Sequence, residues 1–72
     1  MIFKYKVPKK ERFRYGNKKI IYCEVEQEQK MVICNKICYK VRMLNYKNLS
    51  NIFLNSDLKN LNILDKIKLV FI

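Results

Sequence analysis

The sequence is 72 residues long and carries 16 lysines and arginines against 6 acidic residues, a formal net charge of +10, with no histidine and a single glycine. A chain this short makes one domain, residues 1–72; it buries only about 60% of the surface its unfolded form exposes, and it usually needs a disulfide, a metal or a partner to reinforce its core. Without histidine a cysteine nucleophile lacks its usual activator, and one glycine cannot build a phosphate-cradling loop, so the chain reads as a non-enzyme with no cofactor and no small-molecule substrate.

In chain order, the first element is a strand. Phe3, Tyr5 and Val7 alternate with Lys4 and Lys6, and Pro8 stops strand pairing. Arg12 and Arg14 then alternate with Phe13 and Tyr15, which predicts a second short extended piece, followed by a turn at Gly16-Asn17. Ile20 to Glu26 reads as a strand with Ile21, Cys23 and Val25 on one side and Tyr22, Glu24 and Glu26 on the other. Gln27 to Lys30 reads as a hairpin loop, Met31 to Cys34 as a further β-prone piece, and Asn35-Lys36 as a bulge or turn. Ile37 to Leu44 alternates Ile37, Tyr39, Val41 and Met43 against Cys38, Lys40 and Arg42, a strand with one buried and one basic face. The period then changes: Leu49, Ile52 and Phe53 fall at i, i+3, i+4, which predicts a short helix capped by Asn45 or Asn48 and ending near Asn55-Ser56-Asp57. Leu58, Leu61 and Leu64 extend the apolar series, and the tail from Lys66 to Ile72 alternates again, as a last strand or an arm docked on a partner. The fold class is α+β: a small antiparallel sheet followed by one short helix and an apolar C-terminal tail.

The three cysteines, Cys23, Cys34 and Cys38, are an odd number, and the residues from Met1 to Pro8 alternate lysines with apolar residues instead of forming an apolar signal-peptide core. Free, mostly buried thiols in a reducing compartment are expected. Three cysteines without histidine do not furnish a closed zinc site. No run of about 18 uncharged apolar residues is present, so no membrane span is expected. A partner remains as the reinforcing element, and the charge says which kind. Residues 1–20 carry a net charge of +7 and residues 21–72 only +3; a compact chain so charged repels itself, and a polyanion removes the repulsion.

The concentration is greatest from Val7 to Ile21, where Lys9, Lys10, Arg12, Arg14, Lys18 and Lys19 face a single acid, Glu11. These six, with Arg42 on the basic face of its strand, are the candidate RNA-binding residues, because lysine and arginine neutralise phosphates and release counterions. Phe13 and Tyr15 among them read either as core residues or as platforms for bases.

The order of motifs resembles the eukaryotic small-subunit ribosomal protein S-twenty-one-e family. That family opens with a segment like L-Y-V-P-R-K, followed by N-R-I-I, a strand like V-A-E-V-D, a strand like A-I-C-G-A-I-R-R-M-G and a helix like D-D-S-I-L-R-L. Here Tyr5-Lys6-Val7-Pro8-Lys9-Lys10 precedes Asn17-Lys18-Lys19-Ile20-Ile21 and Tyr22-Cys23-Glu24-Val25-Glu26, and the stretch from Lys36 to Asn45 leads to Asn48-Leu49-Ser50-Asn51-Ile52-Phe53-Leu54. Val41-Arg42, Ser50, Asp65 and Leu69 also line up with the C-terminal half of the S-twenty-eight-e family, an OB-type barrel. Either resemblance implies a structural constituent of the cytosolic small ribosomal subunit, in the cytoplasm, whose partners are ribosomal RNA and neighbouring ribosomal proteins. The alternatives are a lineage-specific ribosomal protein of the large or an organellar subunit, and an accessory protein–protein module that docks through its apolar tail.

Overall fold

The computed structural model describes residues 1–27 and 31–71. Strand β1 (Ile2–Lys6) ends before Pro8, whose ring removes the donor that a next ladder bond needs. The chain leaves the sheet at Val7 and rejoins it at β2 (Ile20–Val25), which pairs antiparallel with β1 in the register Ile2↔Glu24 to Lys6↔Ile20. The Val7 N–H donates to the Lys19 carbonyl at 2.9 Å, so the excursion between them is closed at its base.

Strand β3 (Met31–Ile33) turns into β4 (Lys36–Met43) through Cys34 and Asn35, with φ of 52° and 62°. Two left-handed residues in succession are what a two-residue type I′ hairpin turn requires. The turn therefore falls one residue earlier than the Asn35-Lys36 predicted from sequence. Strands β2 and β3 lie along the same side of β4, pairing with Val41–Met43 and Lys36–Cys38 respectively. The hairpin loop predicted at 27–30 lies, beyond Gln27, outside the described residues.

On its other side β4 pairs with β5 (Leu49–Leu54) from Cys38↔Leu54 to Met43↔Leu49. This strand replaces the predicted short helix. The stripe Leu49/Ile52/Phe53 has helical spacing, but Ser50 and Asn51 fall inside it, and serine and asparagine are poor helix-interior residues. The turn before it decides. Lys47 and Asn48 adopt φ of 57° and 52°, so Asn48 serves as a left-handed turn residue rather than as a helix cap.

A 3-10 turn, Asn55–Asp57, leads to β6 (Leu58–Lys59), which returns to pair with β1. The sheet order is therefore β6-β1-β2-β4-β5, with β3 beside β4. The sheet rolls over its own core, because Phe53 of β5 stacks on Tyr5 of β1 at a ring-centroid distance of 4.4 Å. Val7, Ile21, Cys23, Val41 and Met43 complete the buried cluster.

Among the described residues the one α-helix is α1 (Ile63–Val70), whose part from Lys66 onward the sequence alternation predicted as a strand or an arm. Its start is a capping box. The Asp65 N–H donates to Asn62 Oδ1 at 2.8 Å, and the Asn62 N–H donates to Asp65 Oδ2 at 3.0 Å. Two orphan amide donors of the first turn are thereby satisfied. The α+β class stands, a small antiparallel sheet followed by a helix, with the helix at Ile63–Val70 instead of near Leu49–Phe53. Asp65 also accepts from Lys4 Nζ at 2.7 Å and from the Tyr22 hydroxyl at 3.2 Å. This buried polar cluster pins α1 to the sheet face opposite the core. Ile63, Leu64, Ile67, Val70 and Phe71 remain exposed on α1 and the residue after it.

Candidate nucleic-acid interface

Residues Lys9–Tyr15 form a 3-10 helix rather than the predicted extended piece. Pro8 enters it with φ of −57°, and its carbonyl accepts the Glu11 N–H at 2.9 Å. The segment KKERFR contains no β-branched residue, and lysine, glutamate and arginine are good helix formers. The helix ends at Gly16, in the left-handed conformation at φ 62°. A Cβ at Gly16 would lie 3.3 Å from the Tyr46 ring, so both the backbone angle and the close approach call for glycine. Asn17 follows at φ 60°, which places the turn at Gly16-Asn17 as predicted.

The change from strand to helix separates two aromatic rings that a strand would have put on one face. Tyr15 points into the protein, with ring centroids 6.1 Å from Tyr5, 6.0 Å from Tyr46 and 6.3 Å from Phe53, and its hydroxyl accepts from Asn51 Nδ2 at 3.4 Å. Phe13 points out and is 72% exposed, with the Arg14 guanidinium carbon 5.6 Å from its ring centre. The two readings left open by the sequence therefore divide: Tyr15 packs, half-buried, against the core and Phe13 is a surface residue.

Lys9, Lys10, Arg14 and Lys19 are exposed, while Arg12 and Lys18 are half-buried. Arg12 Nε is shielded from solvent without an acceptor among the described residues. All six sit on one excursion whose ends, Val7 and Lys19, are hydrogen-bonded to each other. The lone acid of the excursion is occupied, since the Tyr5 hydroxyl donates to Glu11 Oε2 at 3.0 Å. Burial, reinforced by that bond and by the Glu11 charge, pushes the Tyr5 hydroxyl up to about 12, so it remains a donor at neutral pH. None of the six basic side chains has a salt-bridge partner among the described residues.

Arg42 is not brought to this lobe. It faces Glu24 across the β2–β4 pair at 3.5 Å. Its register places it on the face that carries Tyr22 and Lys4, whereas Tyr15 holds the lobe against the Tyr5–Phe53 face. Two further cations adjoin the lobe that sequence reasoning did not single out, Lys6 and Lys59. With Lys10 they line a depression of about 400 Å³ that also holds Glu11 and Asp57. Lys6 was visible as the last polar residue before Pro8. Lys59 reaches the site only because β6 pairs with β1, a long-range contact that no local pattern announces.

No family model, curated protein or solved structure matches this chain. The segment that the S-twenty-one-e resemblance implied as a helix, Asn48–Leu54, is a turn residue followed by strand β5; that resemblance therefore rests on motif order there and not on local structure. Among the described residues, no helix is long and apolar enough to cross a membrane. The three cysteines are free, Cys23 and Cys38 buried and Cys34 exposed.

Proposed function

We propose that this chain is a structural RNA-binding protein that grips the phosphate backbone with its basic lobe. The observation that carries the reading is the lobe itself. Six lysines and arginines are held on one closed excursion with their only acid turned to Tyr5. Tyr15 anchors that excursion in an aromatic cluster, so the charges are presented on a fixed support. Ordering the cations before binding lowers the entropy cost of engaging a polyanion. The particle we propose is the cytosolic small ribosomal subunit, to which both sequence resemblances lead, with ribosomal RNA on the lobe and neighbouring ribosomal proteins elsewhere on the surface. Arg42 has no part in this interface as its geometry stands, since Glu24 already faces it on the other side of the sheet.

The exposed apolar side chains of α1 favour a second reading, a protein–protein module that docks through its C-terminal helix. Sedimentation of cell extract on density gradients at low and moderate salt separates the two. The RNA-binding reading predicts co-migration with small subunits, lost when Lys9, Lys10, Arg14 and Lys19 are changed to glutamine and retained when Ile63 and Ile67 are changed to serine. The docking reading predicts the opposite pattern. Recovery of the wild-type chain near the top at both salts would end the ribosomal proposal.

A further inference from the structure

Phe13 is exposed at the centre of the most basic stretch of the chain, on a helix fixed at both ends. Pro8 sets its start, the left-handed Gly16 its end, and Tyr15 and Glu11 tie it to the core through the Tyr5–Tyr46–Phe53 cluster and the Tyr5 hydroxyl. The protein exposes other apolar side chains, but those on α1 lie on the element pinned to the opposite sheet face. Phe13 is an exposed ring among cations, with Lys9 and Lys10 preceding it on the same helix and the Arg14 guanidinium 5.6 Å from its ring centre. A rigid ring flanked by ammonium and guanidinium groups matches a nucleotide, with a flat base for the ring and a phosphate on each side for the cations. Bases inside an A-form duplex are stacked on each other and present no face to such a ring. On a duplex Phe13 would gain nothing, and the lobe would act through charge alone.

We infer that the basic lobe takes unpaired RNA, with one base of a loop, bulge or single strand stacked on Phe13 and the neighbouring phosphates held by Lys9, Lys10, Arg14 and Lys19. This rests on the proposed RNA-binding role and narrows it to a substrate class. The stack is sequence-tolerant, because every base has a π-face.

Fluorescence anisotropy tests it with a labelled single-stranded RNA of 12 nucleotides, without self-complementarity, and a 12-base-pair RNA duplex, both at the same salt. Wild type should prefer the single strand. Phe13→Ala should weaken single-strand binding by about 5- to 150-fold, the range that one base–aromatic stack supplies, and leave duplex binding unchanged. Phe13→Tyr, which keeps the ring, should restore most of the loss. Because Phe13 is exposed, the variants should melt as wild type does, which removes misfolding as the cause. If Phe13→Ala weakens both RNAs equally or neither, while wild type binds both in a salt-dependent way, the stacking inference fails and the backbone-binding role stands. If wild type binds neither RNA, the proposed function fails and the inference falls with it.

Discussion

Removing the Tyr15 ring should detach the basic lobe from the protein. Tyr15 meets three other rings, Tyr5, Tyr46 and Phe53, at centroid distances between 6.0 and 6.3 Å. Each aromatic pair contributes roughly 0.5–1.5 kcal/mol beyond the area it buries. Truncating a fully buried aromatic side chain to alanine costs about 3–5 kcal/mol. Tyr15 is half-buried, which puts Tyr15→Ala near the lower end, at about 3 kcal/mol. In a domain of this size each kcal/mol moves the melting temperature by roughly 4–8 °C, so the variant should melt about 12–24 °C below wild type. A core this small supplies only about 3–5 kcal/mol in total, so the variant sits close to its unfolding midpoint. Tyr15→Phe keeps the ring contacts and loses only a hydroxyl that accepts a long, 3.4 Å bond from Asn51, at a cost under about 1 kcal/mol. Thermal denaturation followed by circular dichroism reads both. Tyr15→Ala melting within about 4 °C of wild type, less than 1 kcal/mol would produce, would refute the claim that this ring holds the lobe.

The cluster that pins α1 should make stability depend on pH. The Asn62 backbone N–H first, then the Lys4 ammonium and the Tyr22 hydroxyl, hold the Asp65 carboxyl below its ordinary value of 3.8 against the opposing effect of burial. A carboxyl with a depressed folded value stabilises fully above its unfolded value and loses that contribution as pH falls through the folded one. Wild type should therefore keep its melting temperature down to about pH 4 and lose it below, whereas Asp65→Asn, lower at neutral pH because Lys4 is left buried without its partner, should show a smaller acid loss; parallel acid limbs would contradict this. The cysteines should differ in reactivity. Burial pushes the Cys23 thiol up to about 12 and Cys38 is buried, while Cys34 lies exposed in the hairpin turn. A thiol-specific chromogenic disulfide should then label Cys34 rapidly and the other two only on unfolding, with the fast phase absent in Cys34→Ser.

The parts of the fold that were legible in the sequence are those where one local pattern stood alone. β1, β2 and β4 each show period-two alternation with a clear stop, Pro8 for β1 and the polar residues after Val25 for β2. Gly16-Asn17 announced its turn through residue types that tolerate positive φ. The structure departs from the local period where turn chemistry, helix propensity or strand pairing outweighed it. Arg12-Phe13-Arg14-Tyr15 alternates as a strand does, yet the proline before it and the helix-forming lysines, glutamate and arginines made a 3-10 helix. Leu49–Leu54 carries helical spacing, but the left-handed turn at Lys47-Asn48 and the pairing with β4 make it a strand. For α1 a local signal existed, Asn62 followed three residues later by Asp65, with apolar residues at 63, 64, 67, 70 and 71. The strict alternation of lysines at 66 and 68 concealed it.

The candidate site was legible in a similar measure. Charge density marks the stretch from Lys9 to Lys19 without any knowledge of structure. Which ring faces solvent depends on the helical geometry, and sequence alone left Phe13 and Tyr15 equivalent. Arg42 shows what a polar strand face leaves unread. Its cross-strand neighbour Glu24 is 18 residues away in sequence and is met only once the β2–β4 register is known.

A lobe that grips the RNA backbone should bind single-stranded RNA with an affinity that falls steeply with salt. If Lys9, Lys10, Arg12, Arg14, Lys18 and Lys19 each neutralise a phosphate, log affinity against log salt should have a slope of about −4, a loss of roughly 300-fold between about 50 and 200 mM. Changing Lys9 and Lys10 to glutamine should make the slope shallower by about 1.4. A slope near zero, or one that these two substitutions leave untouched, would contradict the account.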